Sequence, residues 1–121
     1  MPKKILVIDD DAKILVLEKT ILVQGGFAVE TASDGIEGLE KLRAGGYDGI
    51  VLDVIMPRMD GYETAKQIKK LKEHKTTPIV MVTASTERSA MTQGFRSGAV
   101  VFISKPFTAK KFLTVIQTII R

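Results

Sequence analysis

Cysteine is absent from the 121 residues. Disulfides, thiolate metal sites and thiol nucleophiles are excluded with it, and the lack accords with a reducing, cytoplasmic setting. No apolar run approaches the roughly 20 residues of a membrane-spanning helix. The start, Met1-Pro2-Lys3-Lys4-Ile5, has a basic pair, but the apolar stretch behind it stops at Asp9, too early for a secretory signal. Histidine occurs once, at His74 among lysines, and reads as a surface residue, not a ligand or phosphocarrier. A Gly- and Ser/Thr-rich phosphate cradle is missing after the first apolar run, and the aspartates found there would repel a flavin phosphate. What is present is ordinary for one globular domain: 45% hydrophobic residues, 26% charged residues and a net charge of +4. The surplus of basic residues gathers at Lys66, Lys69, Lys70, Lys72 and Lys75, and again at Lys110 and Lys111. No aromatic residues interleave with them, so they do not point to nucleic acid. They read as a solvated face, with recruitment of an acidic partner as the alternative.

Short apolar runs alternate with amphipathic stretches. Lys4 to Ile8 is β-branched and ends at acids, as a strand buried on both faces does. Residues 12–24 repeat apolar positions at helical spacing (Ile14, Leu17, Ile21, with Leu15 and Leu22) and close at Gly25-Gly26. Phe27 to Thr31 predicts a second strand, and Asp34 to about Arg43 a second helix with Ile36, Leu39 and Leu42 inward. A third strand ends at Asp53, and a third helix runs from Gly61 to about Glu73. Ile79 to Val82 predicts a fourth strand, and residues 86–96 a fourth helix. Ala99 to Ile103 predicts a fifth strand, and Thr108 caps a last helix with Phe112, Val115, Ile116, Ile119 and Ile120 on one stripe. Five β-α units imply a parallel sheet with helices on both faces and are too few for an eight-fold barrel. In an open, doubly wound sheet, ligands sit outside the carboxyl ends of the strands.

The strand ends therefore define the candidate site. They carry Asp9, Asp10 and Asp11 after the first strand, Asp53 after the third, Thr83 after the fourth, and Ser104, Lys105 and Pro106 after the fifth. Each has a plain structural use on its own: the acids as helix caps, Asp53 as a turn residue, Thr83 as a strand terminus, Lys105 as a solvated lysine. Their convergence on one sheet edge favours a site. Carboxylates held together need a cation or raised pKa values, and oxygen-only ligands suit a hard ion, Mg²⁺ above all. With Lys105 and the Thr83 hydroxyl able to hold phosphate oxygens, the set fits phosphoryl transfer, and an aspartate can itself be the acceptor.

Asp53-Val54-Ile55-Met56-Pro57-Arg58-Met59-Asp60-Gly61, with the strand-one acids, Thr83-Ala84 and Lys105-Pro106-Phe107, resembles the receiver domain of response regulators over the whole of residues 1–121. The resemblance implies a flavodoxin-like α/β fold with five parallel strands in the order 2-1-3-4-5. It implies that Asp53 is the phosphoacceptor for a histidine kinase or histidine phosphotransfer protein. Mg²⁺ would be held by Asp10, Asp53 and the backbone carbonyl of Ile55, with Asp9 acting through water. Thr83 and Lys105 would hold phosphoryl oxygens, small Ala84 would leave the site open, and Thr83 and Phe102 would form a switch read out on the helix 4–strand 5–helix 5 face. Lys105–Pro106 matches a peptide bond often cis in the family. Such a domain is a signalling module, an enzyme only toward its own phosphorylation and dephosphorylation.

Three departures from the family pattern stand out. Phe102 stands where tyrosine is more frequent, Val100-Val101 where polar residues are usual, and Ile55 and Ser85 lack groups that orient hydrolytic water in some members. Slow self-dephosphorylation is the expected consequence. A haloacid-dehalogenase-like phosphohydrolase is a remote alternative, since Asp9-Asp10-Asp11 imitates its opening motif, but no acid follows Lys105 to complete its site. With no output domain expected within residues 1–121, the domain acts either by binding a downstream protein or as a module cut from a longer DNA-binding or enzymatic regulator. Dimerisation on phosphorylation belongs to the second case; direct nucleic-acid binding and membrane insertion are not expected.

Overall fold

The computed structural model describes residues 2–56, 58–84 and 88–120. Strands and helices alternate as β1 (Lys4–Ile8), α1 (Ala12–Gln24), β2 (Ala28–Ala32), α2 (Gly35–Ala44), β3 (Gly49–Asp53), α3 (Gly61–Lys70), β4 (Ile79–Thr83), α4 (Arg88–Ser97), β5 (Ala99–Ser104) and α5 (Ala109–Ile119). All neighbouring strands pair parallel, in the order β2-β1-β3-β4-β5. From β1 the chain first steps outward to β2 and then crosses to β3, so the order reverses at the carboxyl ends of β1 and β3. That is where Asp9 and Asp53 lie.

Strand alternation builds two apolar layers. Leu6 and Ile8 of β1 point with Ile50 and Leu52 of β3 toward α2 and α3, where Leu39, Leu42 and Ile68 meet them. Ile5 and Val7 point the other way, with Val51, toward Leu22 of α1 and Phe112 and Ile116 of α5. Every residue of β3 and β4 is buried, as central parallel strands covered on both faces must be. Each fully buried Leu, Ile or Phe contributes about 1.5–3 kcal/mol. Side-chain caps start the helices: Asp34 accepts from Glu37 N (2.8 Å), Asp60 from Glu63 N (2.9 Å) and Thr108 from Lys111 N (3.1 Å). No helix among the described residues is long and apolar enough to cross a membrane.

The structure corrects four local expectations. In α1 the buried stripe is Glu18, Ile21 and Leu22, while Leu17 is 46% exposed. Ile36 likewise faces solvent. The third helix stops at Lys70, where Leu71 turns extended, and a 3₁₀ turn at Lys72–His74 replaces its predicted last turn. This turn carries His74 inward, so the expected surface histidine is buried. Its Nε2 donates to the carbonyls of Leu42 (3.0 Å) and Gly45 (3.2 Å), and its Nδ1 is 3.1 Å from the Thr77 hydroxyl. Flanking lysines described the neighbourhood in sequence, but distant carbonyls set the neighbourhood in space.

Candidate functional site

The three consecutive acids after β1 have three different environments. Asp11 is the N-cap of α1, accepting from Lys13 N (2.9 Å) and Ile14 N (3.3 Å). Asp10 is exposed. Asp9 is buried, its Oδ1 accepting from Asp11 N at 2.9 Å and its Oδ2 without a hydrogen-bond partner among the described residues. The capping reading thus holds for Asp11 alone.

Asp53 closes β3, buried and level with Asp9 on the neighbouring strand. One carboxylate oxygen from each of Asp9, Asp10 and Asp53 falls in a group spanning no more than 4.8 Å. Two such charges about 4 Å apart repel by roughly 4 kcal/mol at an effective dielectric near 20. One cation is built in. Lys105 Nζ lies 3.2 Å from Asp53 Oδ1 and 3.8 Å from Asp9 Oδ2. Its backbone is tied to the same edge, Lys105 N donating to Thr83 O at 2.8 Å, and the Lys105–Pro106 bond is cis. Thr83 closes β4 and is buried. Four strand ends, those of β1, β3, β4 and β5, therefore bring Asp9, Asp53, Thr83 and Lys105 to one edge, with Asp10 at its rim.

The protonation energies reflect this crowding. Burial, reinforced by Asp53 and opposed by the Asp11 amide, pushes Asp9 up to about 6. Burial also raises Asp53, against the pull of the Lys105 ammonium. Burial lowers Lys105, but the Asp53 and Asp9 carboxylates outweigh it and hold the ammonium above its ordinary value. An added dication would relieve the strain on all three carboxylates, and their hard oxygens, one of them an unpartnered buried atom, fit Mg²⁺.

The loop after Asp53 is held by backbone geometry. Gly61 N donates to Val54 O at 2.7 Å, and a Cβ at 61 would collide with the Asp53 carbonyl oxygen and stand 2.7 Å from Val54 Cα. Only glycine lets α3 begin this close to the acceptor. Arg58 adopts a positive φ of 68° and pairs through its guanidinium with Asp34, joining the loop to the start of α2. Met56 is buried and Met59 packs against the core. Ile55 is 73% exposed at the mouth of the site, and Ala84 is exposed beside it. Pro57 and Ser85 lie outside the described residues. Phe102 is half-buried on β5, edge-on to Phe95 of α4 at 5.0 Å between ring centroids.

Sequence reading missed Glu18. It is buried behind the site, within reach of the charges of Asp9, Lys105 and Asp53. Apolar residues surround the axis of α1, so no signal in the sequence marked Glu18 as buried.

The profile of the response regulator receiver domain matches residues 5–117. Among curated proteins, the transcriptional regulatory protein SrrA of Staphylococcus aureus is 38% identical over all of this chain, which spans about half (49%) of SrrA. Among solved structures, the chemotaxis response regulator CheY4 of Vibrio cholerae superposes with a TM-score of 0.95 at 34% identity, covering 98% of this chain and 99% of that one. The receiver domain of the sensor histidine kinase PA1611 from Pseudomonas aeruginosa, solved with a magnesium ion in its active-site cleft, shares the fold (TM-score 0.91, 23% identity, 99% and 98% covered). A strand order of 2-1-3-4-5, acids and a lysine at its switch point and a profile match over nearly its full length leave one assignment: the chain belongs to the response regulator receiver family of two-component signalling.

Proposed function

We propose that this receiver is a phosphorylation-operated switch whose acceptor is Asp53, supplied by a histidine kinase or a histidine phosphotransfer protein. The observation that carries the reading is the Asp53 carboxylate, buried, 3.2 Å from the Lys105 ammonium and grouped with the Asp9 and Asp10 carboxylates. A carboxylate so placed has one oxygen steadied by Lys105 and the other available as nucleophile. Its oxygen forms the new P–O bond as the P–N bond of the phosphohistidine breaks. The bonding electrons remain on the imidazole nitrogen, which takes up a proton. Asp9, Asp10, Asp53 and the Ile55 carbonyl would hold Mg²⁺, which when bound neutralises phosphoryl charge in the transfer. Lys105 neutralises the same charge from its own side, and the Thr83 hydroxyl donates to a phosphoryl oxygen.

The switch follows from these positions. Drawing Thr83 toward the phosphoryl group frees space beside β4, and the half-buried Phe102 ring can turn into it, repacking against Phe95. The α4–β5–α5 face changes as a result, and a coupling of about 1–3 kcal/mol gives a several-fold to hundred-fold response. We assign the domain to the cytoplasm, where its phosphodonors reside. Its output is a protein contact if it acts as a single domain. It is an attached output domain, with dimerisation on phosphorylation, if the likeness to half of SrrA extends further.

Incubation with a small phosphodonor and Mg²⁺ tests the acceptor. Intact mass rises by about 80 Da in the wild type, one phosphoryl group, and not in Asp53→Asn. A wild-type chain that binds Mg²⁺ yet gains no mass overturns the proposal.

A further inference from the structure

The lysine run on α3 divides in the structure. Lys69 is half-buried, its Nζ donating to the carbonyls of Thr77 and Lys75, so it is a brace between α3 and the start of β4. Lys66 instead lines a groove of about 780 Å³ between α3 and α4, opposite Arg88, Thr92 and Arg96, with Ser89 and Gln93 between them. Among the described residues no carboxylate lines this groove, and none of its three cations is in an ion pair. Residues 61–98 hold seven Lys and Arg against three acids, a surplus equal to the whole chain's +4, while the remainder balances eleven against eleven. The net charge of the protein is thus concentrated on the helices that form the groove.

We propose that the α3–α4 groove is a docking site for an acidic helix of a protein partner. Arg88, Thr92 and Arg96 are spaced i, i+4, i+8, one stripe of α4, which sets the two arginines about 12 Å apart along the axis. Of the groove residues between them, Ser89 and Thr92 have short side chains, so a second backbone can approach closely there. A partner helix with carboxylates at the same i, i+4, i+8 spacing repeats every ~6 Å and reaches Arg88, Lys66 and Arg96 in one register. The spread of donors along the groove does not suit a single phosphate, which needs convergence. Nucleotides and nucleic acid find no ring to stack on, for none of the residues that line the groove is aromatic. The groove is separate from Asp53, so its occupancy can be measured on the unphosphorylated chain.

Two helical peptides of about 18 residues and equal composition supply the test. One carries glutamates at i, i+4, i+8; the other distributes them around the helix. The first binds at least about tenfold tighter than the second, and its affinity falls about tenfold between 50 and 300 mM salt. Lys66→Glu and Arg96→Glu each weaken it about tenfold or more, whereas Lys72→Glu, a same-sign change outside the groove, stays within about threefold. A lysine version of the peptide recovers binding to the Lys66→Glu, Arg96→Glu double variant. Equal binding of the two peptides, equal loss in Lys72→Glu, no binding at low salt, or displacement by ATP or duplex DNA at lower concentration than the peptide overturns the proposal.

Discussion

Glutamine in place of Glu18 removes a buried ionisable group while preserving its volume. Glu18 is 1% exposed, and its Oε2 has no hydrogen-bond partner among the described residues. Burial, with the Asp9 charge adding to it, pushes the carboxyl from 4.5 to about 8. Below pH 4.5 the group is protonated in folded and unfolded chains alike and has no effect on folding. Between 4.5 and 8 the folded chain retains a proton that the unfolded chain has released, so stability falls as pH rises, by about 1.4 kcal/mol per unit. The accumulated loss is about 3 kcal/mol at pH 7 and about 5 kcal/mol above pH 8. Asp9, pushed up to about 6, acts in the same direction over a lower window, and Lys105 and Asp53 face the same region. Only the difference between the two chains isolates Glu18. Urea unfolding followed by far-ultraviolet circular dichroism, in EDTA at pH 5, 6, 7 and 8.5, gives that difference. Glu18→Gln matches the wild type within about 1 kcal/mol at pH 5 and exceeds it by about 3 kcal/mol at pH 7. Parallel pH profiles with a constant offset would refute the argument, for they would mean that Glu18 titrates alike in both states.

Three further outcomes are expected. Gly61→Ala forces a methyl group into the Asp53 carbonyl and should destabilise the fold by about 2–4 kcal/mol in urea unfolding, and slow phosphoryl uptake by mass assay as well. His74→Ala strips the Leu42 and Gly45 carbonyls of their donor and leaves a cavity, for a loss of about 2–4 kcal/mol. It lies at the opposite edge of the sheet from Asp53, so the rate of phosphoryl uptake should stay at the wild-type value. Ile55→Asn places an amide at the exposed mouth of the site, where it can orient water, and should shorten the acyl-phosphate lifetime about tenfold, measured by loss of the added mass; an unchanged lifetime removes Ile55 as the cause of slow hydrolysis.

The parallel sheet was legible because β-branched runs ending in Asp9, Asp53 and Thr83 state both the strand and its carboxyl end. Helix faces were less so. In α1 apolar residues surround the axis, at Val16, Leu17, Ile21, Leu22 and Val23, and no periodicity selects the buried face. The sheet selects it, and Glu18 falls inside. His74 failed for a related reason: its partners Leu42 and Gly45 are about thirty residues away in sequence, and nothing local announces them.

The site itself separates what residue type can decide from what only placement can. Asp9, Asp10 and Asp11 are chemically identical, yet one is buried and pushed up to about 6, one is exposed at the rim, and one caps a helix. The difference arises because the chain leaves β1 extended and enters α1 within three residues, so each side chain points in a new direction. Asp9 inherits the enclosure of the strand, Asp11 the open amides of the helix, and Asp10 the gap between. A carboxylate enclosed beside Asp53 and Lys105 has its proton affinity set by charge and burial, not by its own chemistry. Exchanging the environments, not the residues, would exchange the roles.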